Sequence, residues 1–508
     1  MITLTGTSHH GLIHIDREQM LEIMKSYRSQ GFRLLTMVGA DERRENGQFA
    51  LYWVLCSDAD HTLVNLRSAI PSNDPTFPSV TPILPSANWY EREVRDLLGL
   101  EPLGHPDPRP LVLHGEWTEE IRPLRKDFDA TNRPTAVIHS GHPIQYEGEG
   151  IVEVPVGPIH AGIIEPGHFR FSTIGDVILH LDARLFYTHR GLEKKAEGVT
   201  IEEGLMLAER ACGVCALSHG AAYCQALERI AGISIPERAE WLRVLFLELE
   251  RMYNHAGDIG NICAGVGFAF GAQHGARLKE RLLRLNEQLS GHRYLRGVMM
   301  PGGLHINPGK MALYNVDVEL GSWINDFRQI IEVILLHDGT MERMIGTGKL
   351  RHEDAVDMDV VGPAARASGI FRDIRHVLPY GAYTKCEFNI PVYTDGDVMA
   401  RFRVRIDEIE QSYRLIRQVL EKVKTGDVAV SMGPLEEGRW GIGHVESPRG
   451  DNIHWLMIGP DNRILRYRIR SASYANWSAV PLTAHGNIIL DFPLINKSFE
   501  LCYACCDR

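Results

Sequence analysis

Four cysteines in two Cys-x-x-Cys pairs are the residues of this sequence best placed to do chemistry. Cys212 and Cys215 lie in Glu209-Arg-Ala-Cys-Gly-Val-Cys-Ala-Leu-Ser-His219, and Cys502 and Cys505 lie in Phe499-Glu-Leu-Cys-Tyr-Ala-Cys-Cys-Asp-Arg508. Two-residue spacing lets both sulfurs of a pair face one metal ion, and four thiolates make a soft site suited to nickel, iron or zinc. A structural zinc site is the plainest reading. Zinc ribbons, however, separate their pairs by about 15–20 residues, whereas residues 216–501 lie between these two. The metal would join distant parts of a large domain, which favours a reactive centre built into a core over a staple for a small module.

The five other cysteines read differently. Cys56, Cys224, Cys263 and Cys386 stand singly in apolar or mixed surroundings and are expected to be small core residues. Cys506 adjoins a ligand candidate, but a neighbour at i+1 points elsewhere in most backbone geometries. His219 follows Cys215 by four residues, one helical turn, so its ring can reach that sulfur or its ligand sphere. Gly-rich 260–271 superficially suggests a dinucleotide loop, yet no strand precedes it and no acidic residue trails it. Close helix packing through glycines is the expectation there.

Glu-Arg-x-Cys-Gly-Val-Cys-x-x-Ser-His with a late Cys-x-x-Cys resembles the large subunit of the nickel–iron hydrogenases. The order of landmarks resembles the membrane-associated, complex-I-related branch, the formate hydrogenlyase and hydrogenase-4 type. The resemblance implies a Ni–Fe(CO)(CN)2 centre: Cys212 and Cys502 on nickel alone, Cys215 and Cys505 bridging nickel to iron, and His219 hydrogen-bonded to a bridging thiolate. Ser447-Pro-Arg-Gly450 matches the family's Pro-Arg-Gly element, which implies that Ser447, Pro448 and Arg449 line the cofactor pocket with Arg449 over the open metal position. A guanidinium there polarises dihydrogen without itself being deprotonated. Cys502 is the implied first proton acceptor and Glu165, in Glu-Pro-Gly-His168, the implied relay, although Pro166 departs from the spacing in better-known members. Glu500-Leu-Cys502 replaces the family's Asp-Pro-Cys, keeping a carboxylate that is expected to pair with Arg449. In 187–194, His189 and Arg190 are expected to orient the site or meet a partner's cluster. The polar stripe of 248–255 with Asp258 would alone be a solvated helix face; the family implies that it runs through the core.

These residues need scaffolding from two units. Residues 1–130 are expected to form a small α/β domain: helical periodicity over 17–31, strands over 32–38 and 49–55, proline punctuation over 71–85, then a helix over 87–100. The Trp89, Glu91, Glu93, Asp96 segment, with 104–108 and 123–128, resembles the complex I 30-kDa subunit and implies a role in assembly. Residues 115–150 are expected to be a linker, and 151–508 a mainly helical domain of the hydrogenase large-subunit and complex I 49-kDa kind. Its expected helices are 201–231, 236–257, 276–293, 310–337 and 398–424, with small β appendages near 155–170. The fold class is α+β multidomain.

A length of 508 residues, 44% hydrophobic and 23% charged, describes a globular protein with a large core, and a net charge of −11 excludes a basic nucleic-acid surface. No run reads as a membrane span or secretory signal, so a cytoplasmic protein, attached peripherally to the inner membrane face through partners, is expected. The implied partners are a [4Fe–4S] small subunit like the complex I 20-kDa subunit, a ferredoxin-like iron–sulfur subunit, membrane-arm subunits and a donor module such as formate dehydrogenase. The chain lacks cysteines for an iron–sulfur cluster of its own. Two alternatives stand beside the hydrogenase: a 49-kDa/30-kDa fusion of a complex I-type NADH dehydrogenase holding quinone and no metal, and a zinc-stapled scaffold. In the family a protease trims the chain just beyond the last cysteine pair after nickel enters. The sequence is therefore expected to be the mature form or a variant without an extension, with Arg508 well ordered.

Overall fold

The computed structural model describes residues 11–114, 117, 118, 120–129, 131, 146, 148–162 and 164–508. Most of the linker expected over 115–150 lies outside the described residues.

The N-terminal unit is a sheet of order β1-β4-β3-β2, built from β1 (Leu12–His14), β2 (Phe32–Glu42), β3 (Gln48–Ser57) and β4 (Thr62–Pro71). β2 and β3 are buried almost throughout, which requires cover on both faces. On one face Leu34, Met37, Phe49 and Trp53 pack against α1 (Met20–Ser29) and α2 (Asn88–Leu98). On the other, Leu35, Val38, Tyr52, Val54 and Cys56 meet Trp440, Ile442, Trp455 and Met457 of the second unit. An irregularity in the pairing between Leu34 and Thr36 shifts the alternation by one residue, so that Leu34 and Met37 share one face and Leu35 and Val38 the other.

The carboxylates of α2 point inward instead of into solvent. Glu91 accepts from Ser79 and Thr81 hydroxyls and the Val80 amide at 2.6 Å each. Asp96 collects the amides of Leu111, Val112 and Leu113 at 2.8–3.2 Å. Buried carboxylates need such partners, so this helix organises the loops that follow it.

The second unit begins with an antiparallel sheet of β5 (Ile151–Val156), β6 (His168–Ile174) and β7 (Val177–Arg184). Its helices are α3 (Ile201–Glu209), α4 (Ala216–Ala231), α5 (Glu237–Gly265), α6 (Ala269–Ser290), α7 (Lys310–Leu335) and α8 (Val398–Lys422). The single helix expected over 201–231 is two, because the chain leaves helical geometry between Glu209 and Ala216, where the first cysteine pair sits. The Gly-rich stretch 260–271 is the end of α5, a turn and the start of α6. α5 and α6 cross where Gly260 and Gly275 meet: a Cβ on Gly275 would lie 2.5 Å from the Gly260 Cα.

The β structure is more than an appendage. β8 (Trp440–Ser447), β9 (Gly450–Ile458) and β10 (Ile464–Arg470) form an antiparallel sheet at the centre of the molecule, buried at almost every residue. One face meets the N-terminal sheet; α4 lies on the other so closely that a Cβ on Gly443 would fall 1.7 Å from the Ala222 carbonyl oxygen. The polar residues of these strands mimic an exposed edge in the sequence, yet they are buried with partners: Arg470 pairs with Asp451, and Arg466 with Glu193. The chain closes with α9 (Phe492–Phe499) and α10 (Tyr503–Asp507).

Candidate metal centre

Each cysteine pair sits at the entrance to a helix. Cys215 precedes α4, and its amide points at the Cys212 Sγ at 3.4 Å; Cys502 caps α10, and the Cys505 amide points at the Cys502 Sγ at 3.4 Å. The two entrances face each other. The Cys212 and Cys215 sulfurs lie 2.8 Å apart, and ligand atoms of Cys212, Cys215, His219 and Cys505 all fall within 4.8 Å of one another. Cys502, half-buried, packs against the same cluster. Hydrogen bonds from the Cys215, Cys502 and Cys505 thiols hold the Cys212 thiol well below its usual pKa. This donor set, dominated by converging sulfurs, fits a soft transition metal better than a hard cation such as magnesium.

Arg190 ties the two entrances together. Its guanidinium donates to the Arg210 and Ala211 carbonyls just before the first pair, and to the Ala504 carbonyl between the second, at 2.6–3.0 Å. His189 is exposed and accepts only the Gly191 amide among its recorded contacts, at 3.2 Å.

His219 is fully buried and its Nε2 lies 3.3 Å from the Cys505 Sγ. Burial pushes its pKa down to about 4, so the ring is neutral and one nitrogen must accept. A chain of contacts couples its tautomer to two further side chains. The Tyr467 hydroxyl lies 2.6 Å from His454 Nδ1, and His454 Nε2 lies 2.9 Å from His219 Nδ1. With Tyr467 donating, both imidazoles pass their N–H forward and His219 Nε2–H points at the sulfur. His454 and Tyr467 escaped sequence reading, although alternation along Asn452-Ile-His-Trp does place His454 on the helix-facing side of β9.

Arg449 occupies the turn between β8 and β9 and is buried. It donates through Nη1 to Asn254 Oδ1 at 2.9 Å, through Nη2 to Asp258 Oδ1 at 3.3 Å, and through Nε to the Glu500 carbonyl. Burial opposes its charge, but Asp258 and then the Cys215 and Cys212 sulfurs raise its pKa above the usual value. The expected Glu500 pairing is the weaker one: that carboxylate stands 4.0 Å from Nη2 and accepts from Asn261 instead. Burial and then Asp258 push Glu500 up to about 7. Ser447 turns its hydroxyl to the Gly450 carbonyl at 2.7 Å, closing the turn that holds Pro448 and Arg449, so its side chain serves the turn.

The polar stripe of α5 proves to be the frame of the site. Glu250 accepts the Leu217 and Ser218 amides at 2.9 and 3.0 Å, fixing the start of α4. Arg251 holds the Glu446 and Ser447 carbonyls at 2.7 and 3.1 Å, just before Arg449. Asn254 binds the Val214 carbonyl at 3.0 Å between the first two cysteines while also holding Arg449. Helical spacing alone could not tell these side chains from a solvated face.

Glu165 comes from the loop before β6. Its Oε2 accepts the Ala504 amide at 2.9 Å and lies 3.4 Å from the Cys502 Sγ, and it is half-buried.

Comparison with known proteins agrees with this architecture. Residues 13–134 match the 30-kDa subunit of respiratory-chain NADH dehydrogenase, 190–257 the nickel-dependent hydrogenases, and 266–437 with 434–508 the 49-kDa subunit of respiratory-chain NADH dehydrogenase. Formate hydrogenlyase subunit 5 of Escherichia coli is 37% identical over 95% of this chain and 86% of its own length. Hydrogenase-4 component G of the same organism is 34% identical over 95% and 85%. The solved membrane-bound sulfane sulfur reductase, an archaeal respiratory membrane complex, contains a chain that superposes with a TM-score of 0.67 at 28% identity, covering 72% of this chain and all of that one. The chain therefore belongs to the oxidoreductase family of membrane-complex hydrogenase subunits related to the 49-kDa and 30-kDa subunits of NADH dehydrogenase, the family of formate hydrogenlyase subunit 5 and hydrogenase-4 component G.

Proposed function

We propose that this chain is the hydrogen-activating subunit of a membrane-associated complex, interconverting two protons, two electrons and dihydrogen. The observation that carries the reading is the meeting of two Cys-x-x-Cys helix entrances beneath a buried arginine. Cys212, Cys215, Cys502 and Cys505 would hold a nickel–iron centre whose iron bears carbon monoxide and cyanide. Such a centre, when bound, supplies heterolytic chemistry on dihydrogen.

The chain's own residues do the rest. Arg449, clamped by Asn254 and Asp258, presents a fixed cation beside the sulfurs and loses nothing to reorganisation during reaction. His219 donates to Cys505 and tempers the charge on that sulfur. Cys502 takes a proton and Glu165, 3.4 Å away, passes it outward. Electrons leave through a partner [4Fe–4S] subunit resembling the complex I 20-kDa subunit, and onward through a ferredoxin-like subunit to or from a formate dehydrogenase module. No helix among the described residues is long and apolar enough to cross a membrane; attachment to the cytoplasmic face falls to membrane-arm partners.

A complex I-type quinone site is the competing reading, and the four converging thiols weigh against it, since a quinone pocket has no use for them. The test is hydrogen-dependent viologen reduction by the purified complex and by its Cys212→Ser variant. Turnover in the first and none in the second is expected. A complex that oxidises NADH with quinone and ignores hydrogen would overturn the proposal.

A further inference from the structure

The segment that carries the second cysteine pair is anchored at a distance. Arg508 is 1% exposed, and its guanidinium reaches across to the N-terminal unit. Nη2 pairs with Glu93 Oε2 at 2.8 Å, while Nη1 pairs with Glu193 Oε1 at 2.9 Å and donates to the Ile469 carbonyl at 2.7 Å. Its guanidinium carbon lies 4.6 Å from the centroid of the Tyr474 ring. Glu93 belongs to α2, and its other oxygen pairs with Arg468 of β10. Arg468 also reaches Glu193 at 3.2 Å, and Arg466 pairs with Glu193 at 2.9 Å.

Two carboxylates thus balance three guanidiniums, all of them buried. Removing Glu93 would leave one carboxylate among three cations in a low-dielectric core, an uncompensated arrangement that is strongly unfavourable. Arg466 and Arg468 sit in β10, hydrogen-bonded to its neighbour strand, and cannot retreat. Arg508 can, because it lies at the end of the short α10 segment. Nearer ties hold the rest of that segment: the Asp507 carboxylate on the Phe186 and Thr188 amides, each at 2.9 Å, the Ser471 hydroxyl on the Cys505 carbonyl at 3.0 Å, the Arg190 guanidinium on the Ala504 carbonyl at 2.6 Å, the Arg190 amide on the Arg508 carbonyl at 2.8 Å, and the Ala504 amide on Glu165 at 2.9 Å.

We propose that the N-terminal domain, through Glu93, is the latch that holds the Cys502–Arg508 segment closed against Cys212 and Cys215. The domain is then a working part of the site, beyond any role in assembly, and Glu93 is a positioning residue. This inference goes beyond the proposed reaction and stands on the charge cluster alone, whichever metal the sulfurs take.

The test is thiol protection in the full-length, metal-free chain. A brief iodoacetamide pulse under native conditions, followed by peptide mass analysis, reads each cysteine separately. Cys505 and Cys506, at 2% and 0% exposure, are expected to be protected in the native chain. In Glu93→Gln and in Arg508→Ala their labelling should rise by about tenfold or more, because labelling follows the open population. Cys224 and Cys263, buried in α4 and α5, should stay unlabelled. The double variant should label less than the two single effects combined would give, since both substitutions remove the Glu93–Arg508 pair. Unchanged protection of Cys505 in Glu93→Gln would overturn the proposal. So would a rise shared by Cys224, which reports loss of the core, or additive effects in the double variant.

Discussion

Arg449 shows how little of a side chain's role lies in the residue itself. It donates to Asn254 and Asp258, one turn apart on α5, and to the Glu500 backbone beside the second cysteine pair. Lysine carries the same charge but cannot span that fork. Arg449→Lys should therefore keep the metal content of the purified protein and lower hydrogen turnover by about 10²-fold or more, the usual scale for losing a preorganised donor. Full turnover in that variant would show that charge alone suffices. The cysteines behave differently. Replacing Cys212, Cys215, Cys502 or Cys505 by serine substitutes a hard, poorly deprotonated oxygen for a soft thiolate; nickel content measured by mass spectrometry should fall along with activity, while Cys506→Ser should leave both intact. The cysteines, His219 and Arg449 were legible in the sequence because short motifs carry them. His454 and Tyr467 were not, and Asn254 stood out only within a polar stripe that the family resemblance places in the core, because nothing local distinguishes a buried polar residue from a solvated one until its distant partner is known.

The elements repeat that distinction. The long helices were readable from periodicity, and α7 and α8 begin where the pattern places them. The break between α3 and α4 was hidden, since Gly213 alone interrupts a run of good helix formers. The central β8–β10 sheet was hidden too, for its Glu446, His454 and Arg468 imitate an exposed strand. Buried partners decide their energies. Arg251, 0% exposed, is tied to Glu248 and to the strand leading to Arg449. Arg251→Met should cost roughly 3–5 kcal/mol in urea unfolding, because it takes one of two buried cations from Glu248, which keeps Arg375, and leaves the Glu446 and Ser447 carbonyls without their donor. Arg328, half exposed in its pair with Glu410, is a contrast: Arg328→Ala should cost at most about 1 kcal/mol. Equal effects would mean that burial does not set the energetics.

His444 on β8 supplies the pH dependence at this scale. Burial, and then Arg229, push its pKa down to about 3, so the folded chain holds it neutral while the unfolded chain protonates it near pH 6.5. The folded state therefore binds fewer protons, and stability is lost as pH falls below about 6.5, by about 1.4 kcal/mol per pH unit for this one group. His444→Gln should remove that slope between pH 6.5 and 4.5. Parallel stability curves for the two proteins would refute the assignment.

At the scale of the whole molecule, two units share one core. The N-terminal sheet packs on the central sheet through Tyr52 and Trp455, whose rings lie 5.0 Å apart, and Glu93 reaches the charge cluster behind the second cysteine pair. The two-unit order could be read from motifs; their joint burial could not, because a sequence does not show which of a strand's faces meets another strand. With its partners the chain should sediment with membranes and be released by high salt or alkaline carbonate without detergent. A need for detergent would contradict peripheral attachment. The most direct measurement is elemental analysis combined with infrared spectroscopy on the chain purified with its partners. Nickel together with iron, the iron in excess because the partners' clusters contribute to it, with stretching bands of metal-bound carbon monoxide and cyanide that vanish in Cys505→Ser, is the expected result. Zinc in place of nickel, or neither, with no carbon monoxide or cyanide bands, would contradict a hydrogen-activating centre.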